Sequence, residues 1–101
     1  MLSALAVAFA GTGPAERDYR LSLHAVPKTS IALRARMPEG WIAAFCTPLV
    51  CAPGHVVVRV PRSGQSVVAL HIYRVRDTGR RTSDVVVSDD RGNSTVVHVS
   101  F

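Results

Sequence analysis

No stretch of this chain sustains an apolar repeat near 3.6 residues, so a helical bundle or a layered α/β architecture is excluded at the outset. Internal repeats, low-complexity tracts and charge blocks are missing too, which excludes a solenoid and a disordered interaction tail. There is one lysine, Lys28, against eleven arginines. No Gly-x-Ser-x-Gly elbow occurs, and no acid sits in an obviously apolar setting, so the chain is not expected to be an enzyme. The two cysteines are not spaced as Cys-x-x-Cys, which removes a thioredoxin-like redox centre. No apolar run approaches the roughly 20 residues of a membrane-spanning helix, and the mature chain is expected to have no span.

What is present fits one domain of 101 residues with a modest core, 48 % of it apolar by composition. Bases exceed acids by 12 to 7, a net charge of +5. That balance permits contact with acidic polymers or anionic surfaces. The arginines are scattered, however, and most stand beside apolar residues in alternating runs, as solvent-facing strand positions do. Nucleic acid is therefore not an expected partner.

Residues 1–10, ending Ala8-Phe9-Ala10, are apolar and uncharged. They resemble the back half of a secretory signal peptide with a small-x-small cleavage pattern, though no lysine or arginine precedes the apolar part. A first strand or helix of the fold is the competing reading. Export is preferred because Gly11-Thr12-Gly13-Pro14 interrupts regular structure and because a cysteine pair suits an oxidising compartment. The expected organisation is a truncated signal peptide at 1–10, a flexible start at 11–17 and the domain at 18–101. The expected location is secreted, periplasmic or cell-surface.

Period two dominates the remainder. Tyr19, Leu21 and Leu23 alternate with polar residues, and Ile31, Leu33 and Ala35 alternate with Ala32, Arg34 and Arg36. Val56, Val58 and Val60 form a third run, closed by Pro61. Val68, Leu70 and Ile72 are predicted to face inward, with Val67, Ala69 and His71 outward. Val85 and Val87 lead into Asp89-Asp90-Arg91-Gly92-Asn93, a hairpin connection, and Val97, Val99 and Phe101 share one side of the last strand. About seven short strands with turn signals between them argue for an immunoglobulin-like antiparallel β-sandwich. Its expected core includes Leu33, Trp41, Phe45, Leu70, Val87 and Val99.

The organising stretch is residues 37–51, which holds the only tryptophan and both cysteines. Pro38 and Gly40 make a turn, Trp41 opens a strand taken as central to the sandwich, and Cys46 and Cys51 close it. Four residues separate the cysteines, so a small disulfide ring forms if Thr47-Pro48 reverses the chain. The rival is a metal site of Cys46, Cys51 and His55, with His24, His71 or His98 as a fourth ligand. Without a methionine after His55 it lacks the blue-copper pattern, and no cofactor is expected. The histidines at 24, 71 and 98 read as solvent-facing strand residues. Asp84, Asp89, Asp90 and Asn93 lack calcium-loop spacing and read as turn formers. Asn93-Ser94-Thr95 also matches the Asn-x-Ser/Thr glycosylation acceptor sequence.

Met37-Pro38-Glu39-Gly40-Trp41 resembles the LPxGW turn-and-strand of bacterial immunoglobulin-like domains, such as the NEW3 domains and the carboxy-terminal domain of FixG-type proteins. The order that follows is similar as well: Val56–Val60, Pro61-Arg62-Ser63-Gly64, Val67–Val75 and Asp84–Phe101. Some relatives also place a cysteine pair shortly after the tryptophan. The resemblance spans Tyr19 to Phe101 and brings no catalytic residues. It implies a non-catalytic module on secreted or envelope proteins, contacting an unknown protein or cell-surface component.

Overall fold

A computed structural model describes residues 4–101. The described residues form nine strands: β1 (Ala4–Gly13), β2 (Glu16–His24), β3 (Ser30–Arg36), β4 (Trp41–Cys46), β5 (Cys51–Pro53), β6 (His55–Arg59), β7 (Gln65–Arg74), β8 (Thr82–Asp89) and β9 (Ser94–Ser100). Two antiparallel sheets result, one in the order β1-β2-β7-β4-β5 and the other β6-β3-β8-β9. The chain is an all-β sandwich.

Alternation explains the packing. Along β2, β3, β4, β6, β7, β8 and β9 every second residue turns inward, because successive side chains of an extended strand point to opposite faces. Leu33, Trp41, Phe45, Leu70, Val87 and Val99 all lie in the resulting core, together with Tyr19, Leu21, Leu23, Ile31, Ile72 and the inward valines. No polar or charged residue of the described part is fully buried. At one end Phe101 packs edge-on against Trp41, ring centroids 4.8 Å apart. The guanidinium groups of Arg17 and Arg74 stand 4.8 and 5.5 Å from the same Phe101 ring. These contacts combine apolar burial with cation–π attraction.

Three expectations change. The segment 11–17 is not a flexible start: Gly11–Gly13 finish β1, Pro14-Ala15 make the turn, and Glu16 opens β2. The glycines that look like a linker instead continue the ladder past an irregularity between Phe9 and Gly11. Ala15 is held by Arg74, whose backbone N–H donates to its carbonyl at 2.9 Å. Residues 4–10 of the expected signal peptide run beside β2 in register, with Leu5 and Val7 packed against the core; residues 1–3 lie outside the described part. Small apolar residues satisfy both a leader and an edge strand, so composition does not separate the two.

The second change is β5, three residues long and too short to show as a periodic run. The third concerns the tryptophan strand. β4 lies between β7 and β5, near one side of its sheet, and β7 is the central strand. β7 pairs with β2 over nine residues, from Gln65 to Tyr73, and with β4 from Ala69 to Arg74.

Two glycines carry the turns around β4. In Pro38-Glu39-Gly40-Trp41 the Trp41 N–H donates to the Pro38 carbonyl at 3.2 Å, and Gly40 takes φ 84° as the third residue of the turn. The Gly40 carbonyl accepts from the N–H groups of Val75 and Arg76, tying the turn to the end of β7. Gly54 is the corner between the sheets: its N–H donates to Ala43 of β4 and its carbonyl accepts from Ala35 of β3.

Candidate functional site

β4 and β5 form a hairpin whose last pair is Cys46 opposite Cys51, Cα atoms 4.0 Å apart. The next pair out, Thr47 and Val50, is closed by a 2.7 Å bond from the Thr47 N–H to the Val50 carbonyl. Hydrogen-bonded and non-hydrogen-bonded pairs alternate, so the cysteines occupy a non-hydrogen-bonded pair, where the strands approach most closely. Their sulfurs are joined in a disulfide. Thr47 Oγ1 also accepts from the N–H groups of Leu49 and Val50, fixing the tip from inside. Reducing the disulfide is expected to lower stability by about 2 kcal/mol, the loop-entropy value for so small a ring. Denaturant midpoints with and without reductant check this; coincident curves would contradict it.

The disulfide overturns the metal reading of Cys46, Cys51 and His55. Both sulfurs are bonded to each other, and His55 is exposed at the start of β6, in the other sheet. A disulfide suits an oxidising, extracytoplasmic environment. Among the described residues no helix is long and apolar enough to cross a membrane.

The clamp presents an apolar tip. Leu49 is 96 % exposed and Val50 is 51 % exposed. Between the tip and Val57 and Arg59 of β6 lies a depression of about 390 Å³. Val57 is itself 61 % exposed on an edge strand. The sequence marks the cysteines but not this surface, because the proximity of the tip to β6 follows from the corner at Gly54.

A second constellation lies on the outer face of the same sheet. Asp18 of β2 stands directly opposite His71 of β7, and Glu16 opposite Tyr73. His71 Nδ1 and Asp18 Oδ1 are 2.7 Å apart, with both side chains about a quarter exposed. The ligating atoms of Glu16, Asp18 and His71 all lie within 4.8 Å of one another. Tyr73 has its pKa raised above the ordinary 10.0, first by burial and then by the negative charge and hydrogen bonding of Glu16, with Asp18 adding to it. Tyr19 is raised as well, by burial, which outweighs the opposing charge of Arg17.

Both tyrosines therefore have folded-state values above their unfolded ones. The stability they contribute is fully present below pH 10 and is lost as pH rises through the raised values. Alkaline titration followed by tyrosinate absorbance is expected to find neither phenol ionising at the value of the denatured chain. A phenol that titrates at the denatured value in the native protein would contradict the packing of that ring.

The other histidines do not join this group. His24 faces Gln65 at the far end of the β2–β7 ladder, and His98 pairs with Asp84 across β8 and β9 in the second sheet. The acidic hairpin is a turn: Asp89 Oδ1 accepts from the N–H groups of Arg91 and Asn93, both at 2.8 Å, as an aspartate at the start of a turn does. Glu16 and Asp18 escape notice in the sequence. The available signal is that Asp18, beside inward Tyr19, and His71, between inward Leu70 and Ile72, are both outward by alternation. Their adjacency needs the strand register.

No protein-family model matches the chain. No curated protein and no solved structure matches it either.

Proposed function

We propose that the chain is a non-catalytic immunoglobulin-like module, secreted or displayed on the cell envelope, that binds a protein or cell-surface component through its disulfide-clamped hairpin. The observation that carries this reading is Leu49, almost wholly solvent-exposed at the tip of a hairpin that a disulfide and the Thr47 bonds hold in one conformation. Exposing a leucine and a valine to water offers nothing to the isolated fold. Presented on a pre-ordered tip, they bury apolar area against a partner without the entropy cost of ordering a loop. The similarity of residues 37–41 to the turn-and-strand of bacterial immunoglobulin-like domains supports the same reading, as does the disulfide for an oxidising compartment.

The test is capture from the host's envelope fraction on immobilised protein, run beside Leu49→Asp. Because the side chain touches little of the fold, L49D is expected to leave stability within about 0.5 kcal/mol. It is expected to weaken capture by about 30-fold, the effect of losing an anchor residue worth about 2 kcal/mol. Equal capture by both proteins would overturn the assignment to the hairpin.

A further inference from the structure

We propose that Glu16, Asp18 and His71 form a binding site for a divalent transition-metal ion of the zinc class on the outer face of the larger sheet. The site is independent of the hairpin. Its three donors come from two adjacent strands at the centre of the sheet, Glu16 and Asp18 at alternate positions of β2 and His71 across from Asp18 on β7. Alternation places both carboxylates on one face, and the antiparallel register brings the imidazole to them. The backbone positions are set by an uninterrupted nine-residue ladder, so the donors are held by a rigid scaffold and not by a loop.

The surroundings favour a cation. Gly11 and Gly13 of β1 lie opposite Asp18 and Glu16, and neither puts a side chain over the carboxylates. A Cβ at Gly11 would come to 3.7 Å from Asp18 Oδ2. On the other flank Ala44 and Ile42 of β4 face His71 and Tyr73 with apolar groups. Among the described residues no arginine or lysine forms an ion pair with Glu16 or Asp18, although the chain carries eleven arginines. Arg17, between them in sequence, turns away and donates to the carbonyls of Gly13, Glu16 and Ser100.

Two carboxylates and an imidazole are the nitrogen–oxygen donor set that zinc and its first-row neighbours accept. A hard, oxygen-only ion such as calcium gains nothing from the imidazole. A metal-bound imidazole coordinates through the Nδ1 lone pair and carries its one proton on Nε2, so the proton on Nδ1 is released to water on binding. The ion thus replaces the proton now shared between His71 and Asp18. The outward side stays open to water.

Titration of the oxidised, full-length protein with Zn²⁺ tests this, by calorimetry and by ¹H–¹⁵N spectra with side-chain imidazole signals. One equivalent is expected, with shifts centred on Glu16, Asp18 and His71, and no comparable response to Ca²⁺. His71→Ala and Asp18→Asn are each expected to weaken binding by at least about 100-fold, because even partners that only orient the ligands are worth about 10–100-fold. His98→Ala, which removes the other histidine–aspartate pair, is expected to leave affinity unchanged. If H71A does not fold, Glu16→Gln carries the same expectation. Absence of saturable 1:1 binding, shifts centred on His24, His55 or His98, or unchanged affinity in a folded E16Q, D18N or H71A variant would each overturn the site.

Discussion

Replacing Phe45 with alanine is expected to cost about 3–5 kcal/mol, the range for removing a fully buried aromatic side chain and leaving a cavity. Phe45 has no exposed surface and sits on β4 directly opposite Leu70 of the central strand, with Ala52 of β5 on its other side. Its ring therefore fills the space where the hairpin strand meets the middle of the sandwich, and close-packed neighbours have little freedom to close the gap. A domain of this size is stable by only about 5–15 kcal/mol, so the loss is a large share of the whole. In urea the midpoint should fall while the slope stays constant, because the surface exposed on unfolding is nearly the same. A loss below about 1 kcal/mol would mean that the ring is not enclosed between the sheets.

Gly40→Ala is expected to cost about 2–4 kcal/mol, for two separable reasons. Gly40 takes φ 84°, where a side chain carries a penalty of about 1–2 kcal/mol. In addition, a Cβ there would meet the Arg76 carbonyl oxygen at 2.7 Å, and backbone tied to the same turn has no room to retreat. Gly92 isolates the first reason: its φ is 86°, yet nothing lies within 4 Å of a Cβ built on it. Gly92→Ala should therefore lose only the conformational part. Chemical denaturation of both variants checks the difference. Equal losses would show that the turn before Trp41 is not pressed against the end of β7.

How far these features can be read without coordinates depends on the range of the interaction behind them. The inward sets Tyr19/Leu21/Leu23, Val68/Leu70/Ile72 and Val97/Val99 follow from alternation within single runs, a local property, and the sandwich follows from their number. The disulfide is legible because only four residues separate its partners and Pro48 marks a reversal between them, although the bend itself falls on Pro48-Leu49, inside the Thr47–Val50 pair. β1 is not legible, because alanine and glycine carry little strand preference and the same residues suit a leader. Nor is the placement of β4 beside the short β5, since sheet order is decided by packing between segments far apart in sequence. The Asp18–His71 pair belongs to this second group. Fifty-three positions separate the two residues, and only the β2–β7 register, Tyr19 opposite Leu70 and Leu21 opposite Val68, brings them together.

Everything proposed for the surface rides on β7: β2 brings the carboxylates to one side of it, and β4 carries the hairpin on the other. Native-state hydrogen exchange tests that arrangement most directly. With neighbours on both edges and a buried inner face, the amides of Ala69 to Ile72 are expected to exchange only through global unfolding, slower than those of β1 or of the tip at Leu49 and Val50. Exchange of Ala69 to Ile72 as fast as that of the β1 amides would contradict it.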